Sequence, residues 1–204
     1  MLPHDFIYLA SQSPRRAQLL DQLGVKHRPL LHGKGEDAEA LEEERSKELP
    51  GDYVRRVTLA KLLAARHRRA KRGLPDAPIL TADTTVALGR RILGKPADAD
   101  AARAMLRALS GRTHRVLTAV AVSAGRESFM EVNLSRVRFA DLSQRSIELY
   151  VDSGEPFGKA GGYAIQGRIA AWIEKIEGSH SGIMGLPLFE TTRLLARARV
   201  RLML

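Results

Sequence analysis

The chain has 204 residues and no cysteine, which excludes disulfides and thiolate metal sites and agrees with a cytoplasmic location. Hydrophobic residues make up 44% of it, an ordinary globular share, and no apolar run approaches the length of a membrane span. The net charge of +10 suits a polyanionic partner, but aromatic residues are only 5% of the chain and none interleaves with the basic stretches at 66–72 and 193–201. A base-stacking nucleic-acid surface is therefore not expected, and solvated arginine-rich helix faces are. The opening residues lack the basic start and apolar core of a secretory leader.

In chain order, Ile7-Tyr8-Leu9-Ala10 reads as a strand that runs into a helix, with Ser13 as N-cap, Pro14 at the first helical position and Gly24 closing it. Residues 26–31 form a short strand, and a charged stretch over 32–47 leads to a long helix beginning near Pro50-Gly51-Asp52. Val54, Val57, Leu59, Leu62 and Leu63 define its apolar side, and Gly73-Leu74-Pro75 stops it. Ile79-Leu80-Thr81-Ala82 is a compact buried strand ending at Asp83, and residues 86–93 resemble a hairpin turning at Gly89-Arg90. A third helix runs from a cap at Asp98 to Ser110-Gly111. Two β segments, 113–122 and 128–139, flank a turn at Gly125. Ser143 caps a helix that Ser153-Gly154 ends. A glycine-dense segment, 158–167, precedes the strand-like residues 171–176, and a helix from about Pro187 closes the chain. This alternation of strand and helix predicts an α/β fold in one domain, with residues 96–153 as a candidate sub-lobe.

Four segments carry chemistry. Ser11, Arg15 and Arg16 lie where a strand enters a helix, and a helix start binds anions that arginine forks can clasp. Asp83 with Thr84 and Thr85 sits at the end of a buried strand, where α/β sheets place ligands and a carboxylate can hold a metal or activate water. Lys95, between Gly94 and Pro96, occupies a rigid turn suited to a phosphate. The segment Gly158 to Gly167 lets backbone approach a ligand, and Gln166 offers a donor and an acceptor for a base edge. Together they outline a polyphosphate-plus-base pocket of a nucleotide or sugar-phosphate enzyme. Neither a Walker A motif nor a dinucleotide fingerprint is present.

The ordered set of Leu9-Ala10-Ser11 with Ser13-Pro14-Arg15-Arg16, Ala82-Asp83-Thr84, Leu93-Gly94-Lys95-Pro96, Leu109-Ser110-Gly111 with Thr113-His114 and Thr118, Lys159-Ala160-Gly161, Tyr163-Ala164-Ile165-Gln166-Gly167 and Gly185-Leu186-Pro187 resembles the Maf family of nucleoside triphosphate pyrophosphatases. The resemblance implies a mixed twisted sheet with flanking helices, like that of the inosine triphosphatases, with a cleft between two lobes. It implies a divalent cation, Mg²⁺ or Mn²⁺, and cleavage of a nucleoside triphosphate to monophosphate and pyrophosphate. The Tyr163 to Gly167 segment is similar to the branch acting on dTTP and UTP. Carried over by motif, Asp83 is the proton acceptor and a metal ligand; Arg15, Thr84 and Gln166 bear on substrate choice; Ser11, Arg16, Lys61 and Lys95 hold phosphates. An acidic residue after the second strand completes the metal site, Glu36 being the choice and Asp37 or Glu39 the alternatives. The family's usual pattern also implies frequent homodimers. A sister activity on 7-methyl-GTP or another modified nucleotide, and a basic nucleic-acid-binding regulator of cell division, stand as the competing readings.

Overall fold

The computed structural model describes residues 4–33, 35–36 and 40–202. The elements are β1 (Ile7–Leu9), α1 (Pro14–Gln22), β2 (His27–Pro29), α2 (Pro50–Lys71), β3 (Ile79–Leu88), β4 (Arg91–Leu93), α3 (Ala99–Leu109), β5 (Thr113–Ala124), β6 (Glu127–Phe139), α4 (Gln144–Asp152), β7 (Ile173–Glu177), α5 (His180–Met184) and α6 (Leu188–Arg197), with 3-10 turns at Ala40–Glu42, Ala160–Gly162 and Arg168–Trp172. The strands form one mixed sheet in the order β2-β1-β3-β5-β6-β7, and β4 pairs with β3. β5 pairs with β6 along its whole length, so both strands belong to the central sheet.

β3 organises the molecule. It is one ten-residue strand, where the sequence pattern suggests a short strand and a separate hairpin; the polar Asp83-Thr84-Thr85 interrupts the apolar run without breaking the extended backbone, which threonine favours. β5 pairs with one edge of it from Ile79 to Ala87. The other edge is shared: β1 pairs in parallel at Ile79 and Leu80, and β4 antiparallel from Val86 to Leu88.

Alternation along β3 and β5 separates two faces. On one face α2 buries Val54, Leu62 and Ala65 against Tyr8, Ile79, Ala87, Leu117, Ala119 and Ala121. The opposite face carries two cores. Leu80, Ala82, Val120 and Val122 pack with β1, α1 and α6, while Val86 and Val116 pack with α3, α4 and the segment from Tyr163 to Ile169.

The buried stripe of α2 corrects the sequence reading: Leu59 and Leu63 are 41% and 64% exposed, and Tyr53, Val54, Val57, Thr58, Leu62, Ala65 and Arg68 form the inner face. Nor are the basic residues at the end of α2 merely solvated. Arg68 donates to Leu30 O at 2.8 Å and clasps Glu36, Arg72 donates to Leu31 O at 2.9 Å, and Arg69 reaches Ala77 O at 3.0 Å and pairs with Asp76. They tie down the loops around the sheet. Among the described residues no helix is long and apolar enough to cross a membrane.

His114 is buried against Phe139 and Tyr163, with ring centroids 5.0 and 5.4 Å away at nearly right angles and Nε2 2.7 Å from Tyr163 Oη. Burial pushes the imidazole down to about 4. The unfolded chain binds this proton at the ordinary value near 6.5. Native stability from this group is therefore complete above pH 6.5 and is lost as pH falls toward 4, by roughly 3 kcal/mol at most. Urea unfolding between pH 7.5 and 4 is expected to lose stability less steeply for His114→Phe than for the native chain; equal slopes would assign that loss to carboxylates instead.

Candidate active site

Between Leu80, where β1 ends its pairing, and Val86, where β4 begins, one edge of β3 is open. Leu80 O accepts from Ala10 N at 2.9 Å, so the alternation also directs the backbone groups of Ala82 and Thr84 toward this opening. Asp83 points to the α2 face and Thr84 to the opposite one, and at an open edge both reach the same cleft. The cleft is a cavity of about 940 Å³.

The start of α1 forms one wall. Ser13 occupies the N-cap position, but its side chain makes no capping bond. Ser11 Oγ does the local work, accepting from Ser13 N at 3.2 Å and from Arg16 Nη1 at 3.0 Å. Arg16 Nε donates to Gly185 O at 2.8 Å, its Nη2 reaches Thr84 Oγ1 at 3.5 Å, and Arg15 Nε reaches Met184 O at 3.4 Å. The two guanidinium groups are thus held by the backbone carbonyls that end α5, those of Met184 and Gly185. Burial lowers the proton affinity of both, and for Arg16 the nearby Asp83 opposes that loss.

Opposite stands a charge cluster. Lys61 Nζ, from the middle of α2, donates to Asp83 Oδ1 at 2.6 Å and to Glu42 Oε1 at 2.7 Å. Lys95 Nζ donates to Glu42 Oε2 at 2.7 Å. Burial works against ionisation of Glu42, yet Lys61 and Lys95 outweigh it and hold the carboxyl below its ordinary range. The base of α2 fixes the turn bearing Glu42: Tyr53 Oη donates to Glu42 O at 2.8 Å, and Arg56 donates to Glu43 O at 2.8 Å while pairing with Glu48 at 2.6 Å.

Ser11, Arg15, Arg16, Lys61, Asp83, Thr84 and Lys95 therefore line one cavity. Two expected residues stand differently. Glu36 also borders it, but its carboxylate is clasped by Arg68 at 2.6, 2.9 and 3.1 Å and accepts from Gly33 N at 3.1 Å, which holds it down at about 2. Glu42 instead shares Lys61 with Asp83. Asp37 and Glu39 lie outside the described residues. Gln166 is exposed and absent from the cavity wall; in the segment from Tyr163 to Ile165, alternate side chains Tyr163 and Ile165 face inward.

Motif reading misses Glu42 because it sits in a run of three glutamates, Glu42-Glu43-Glu44, with nothing in composition to say which one faces inward. Lys159, quoted only as part of a motif, also lines the cavity; burial lowers its proton affinity, and the charge of Arg15 lowers it further. Among the described residues no group of three or more His, Asp or Glu forms a metal cage. Asp83 and Glu42, joined through the Lys61 ammonium, with Lys95 also on Glu42, are oxygen donors able to share a small cation. Mg²⁺ commonly takes one or two carboxylates and completes its shell with phosphate and water, so the pair fits that ion.

A cleft of cations around a carboxylate pair at an open sheet edge has the chemistry to hold a polyphosphate. Residues 6–198 match the family model described as Maf-like protein. The chain belongs to the Maf family. It is 61% identical to the dTTP/UTP pyrophosphatase of Cupriavidus pinatubonensis, over 97% of this chain and 99% of that one. It is 60% identical to the dTTP/UTP pyrophosphatase of a Polaromonas species, over 97% and 98%, and 59% identical to that of Burkholderia pseudomallei, over 97% and 95%. The overlay on the Staphylococcus aureus Ham1 protein has a TM-score of 0.39 and 14% identity over 66% of this chain and 72% of that chain, too slight to carry an argument.

Gly161 joins the two walls: its N–H donates to Gly94 O at 2.9 Å, beside Lys95, and its φ is +70°. An added Cβ would lie 2.8 Å from Val86 Cγ1 on β3. Gly161→Ala is expected to destabilise the protein by about 1–3 kcal/mol, through strained backbone and overpacking, as read by chemical denaturation. A variant as stable as the native chain would show that this wall yields freely.

Proposed function

We propose that this protein hydrolyses dTTP and UTP to the nucleoside monophosphate and pyrophosphate. The observation that carries the reading is the Lys61 ammonium bridging Asp83 and Glu42 at 2.6 and 2.7 Å, with Arg16 and Lys95 beside it. The names of relatives at about 60% identity over nearly the whole chain support the substrate class.

Asp83 and Glu42 would hold a divalent cation, which when bound supplies charge neutralisation at the triphosphate. Asp83, at the open edge of β3, accepts a proton from water as its oxygen attacks the α-phosphorus in line. The new P–O bond forms as the bond to the pyrophosphate oxygen breaks, and the electron pair leaves with pyrophosphate. Ser11, Arg16, Lys61 and Lys95 hold phosphate oxygens, where fixed donors stabilise charge that grows in the transition state. Arg15 and Thr84 bear on substrate choice from the neighbouring wall. Gln166 would reach a base only at the rim, so Tyr163, Ile165 and Lys159 form the inner surface that a base meets.

The primary test is a panel of triphosphates, including 7-methyl-GTP, CTP and purine nucleotides, with Mg²⁺ or Mn²⁺ and detection of pyrophosphate. Preferential turnover of dTTP and UTP is expected; preference for 7-methyl-GTP would move the protein to the sister activity. Salt-sensitive DNA binding without turnover would favour the regulatory reading. Asp83→Asn is expected to lower kcat by roughly 10²–10⁴-fold with the fold retained, the range for loss of a general base. Among the acidic residues, Glu42→Gln should impair turnover strongly and Glu36→Gln little. The reverse order would return the metal role to Glu36.

A further inference from the structure

The two cores on one face of the sheet meet along a polar row. Along β3 the side chains on that face are Leu80, Ala82, Thr84 and Val86, and along β5 they are Val122, Val120, Thr118 and Val116. Thr84 and Thr118 are directly paired, and Asn133 on β6 continues the row opposite Thr118. α5 lies across it so closely that a Cβ on Gly182 would sit 2.6 Å from Asn133 Oδ1.

Counting protons gives this row a direction. Thr118 Oγ1 lies 2.7 Å from Gly182 O, and a carbonyl only accepts, so the single hydroxyl proton of Thr118 is committed there. Thr84 Oγ1 lies 3.0 Å from Thr118 Oγ1, which can now only accept; the proton of Thr84 is committed in turn. Thr84 then offers only lone pairs to Arg16 Nη2 at 3.5 Å. Arg16 is fixed from its other sides by Ser11 Oγ at 3.0 Å and Gly185 O at 2.8 Å.

We propose that Thr118, fully buried and outside the catalytic cleft, is a positioning residue that orients Arg16 through Thr84. Its bond to Gly182 O keeps the Thr84 hydroxyl turned as an acceptor, and the same bond pins α5, whose C-terminal carbonyls at Met184 and Gly185 hold both arginines. Without the Thr118 hydroxyl, Thr84 is free to rotate its proton toward the guanidinium, and Gly182 O loses its side-chain donor. The kinetic consequence rests on the reading of Arg16 as a phosphate ligand; the orientation of Arg16 does not.

The test compares Thr118→Val with Thr118→Ser. The valine variant keeps the shape and loses the hydroxyl; the serine variant keeps the hydroxyl and loses a methyl from a sealed seam. With dTTP, T118V is expected to lower kcat/KM about five- to tenfold, mostly through kcat, for the loss of one oriented buried hydrogen bond. T118S is expected to match the native kinetics even where its Tm is lower. Combined with Thr84→Val, T118V should add little, because both break one relay. Equal impairment in T118S and T118V, or losses that multiply in the double variant, would overturn the proposal. Should T118V not fold, Thr118→Ala takes its place against T118S.

A second measurement separates this proposal from the functional reading. The Arg16 Nε–H, bonded to Gly185 O, reports guanidinium orientation in a ¹H–¹⁵N spectrum whether or not any triphosphate is hydrolysed. The resonance is expected to shift in T118V and hold its position in T118S. If it is unmoved in both, Thr118 does not orient Arg16. Absence of dTTP turnover in the native protein would instead defeat the function proposed above.

Discussion

β3 is longer than either strand that shares its far edge, and that mismatch creates the site. β1 pairs only as far as Leu80 and β4 only from Val86, so the strand crosses five residues with one edge unpaired. In a protein without a use for it, such a gap would be a weakness, because backbone polar groups demand partners. Here the gap lies between two lobes that pack on the same sheet, one around α1 and α6 and the other around α3 and α4. The pairing of β3 with β5 runs unbroken behind it. The scaffold is therefore rigid at the place where Asp83 and Thr84 must be fixed, while the front stays open to a ligand.

Electrostatics divides the cleft into two ends. At one, Asp83 and Glu42 face Lys61 and Lys95 in a balanced set of two carboxylates and two ammonium groups. At the other, Arg15 is held by the Met184 carbonyl and Lys159 by the Phe157 carbonyl, and burial and the charge of Arg15 both lower the proton affinity of Lys159. Arg16 lies between the two, influenced by Asp83 and Glu42 on one side and Arg15 on the other. An anion entering such a cleft relieves repulsion at the arginine end and exchanges partners at the lysine end. That asymmetry gives the ligand a direction before any base is read.

Much of this was legible from residues alone, and the rest depended on facts that a linear pattern does not hold. α1 begins at Pro14, α3 at its Asp98 cap and α4 at its Ser143 cap because those local signals need only neighbours to work. Asp83, Lys95 and the arginines stand out by their position against turns and strand ends. The inner face of α2 was harder: Leu59 and Leu63 fit an apolar stripe as well as Leu62 does, and only packing against β3 and β5 selects among them. Glu42 could not be distinguished from Glu36 by composition, since the deciding partners Lys61, Lys95 and Arg68 are remote in sequence. Gln166 stands out in the motif as a donor and acceptor for a base edge, whereas the two-residue alternation that exposes it and lines the cavity with Tyr163 and Ile165 is visible only in the fold.

The arginine-rich end of α2 joins these levels. A charge of +10 invites a search for a polyanion across the surface, but Arg68, Arg69 and Arg72 are turned back onto Leu30, Leu31 and Ala77, the backbone that leads out of β2 and into β3. Their charge is used to satisfy carbonyl groups at the ends of the sheet, and Arg68 is paired with Glu36 at 2.6 Å. Lys61, earlier along the same helix, joins Glu42 to Asp83. Net charge and loop anchoring thus meet on one helix: its basic end holds Leu30, Leu31 and Ala77, while Tyr53 and Arg56 at its other end hold the turn that carries Glu42.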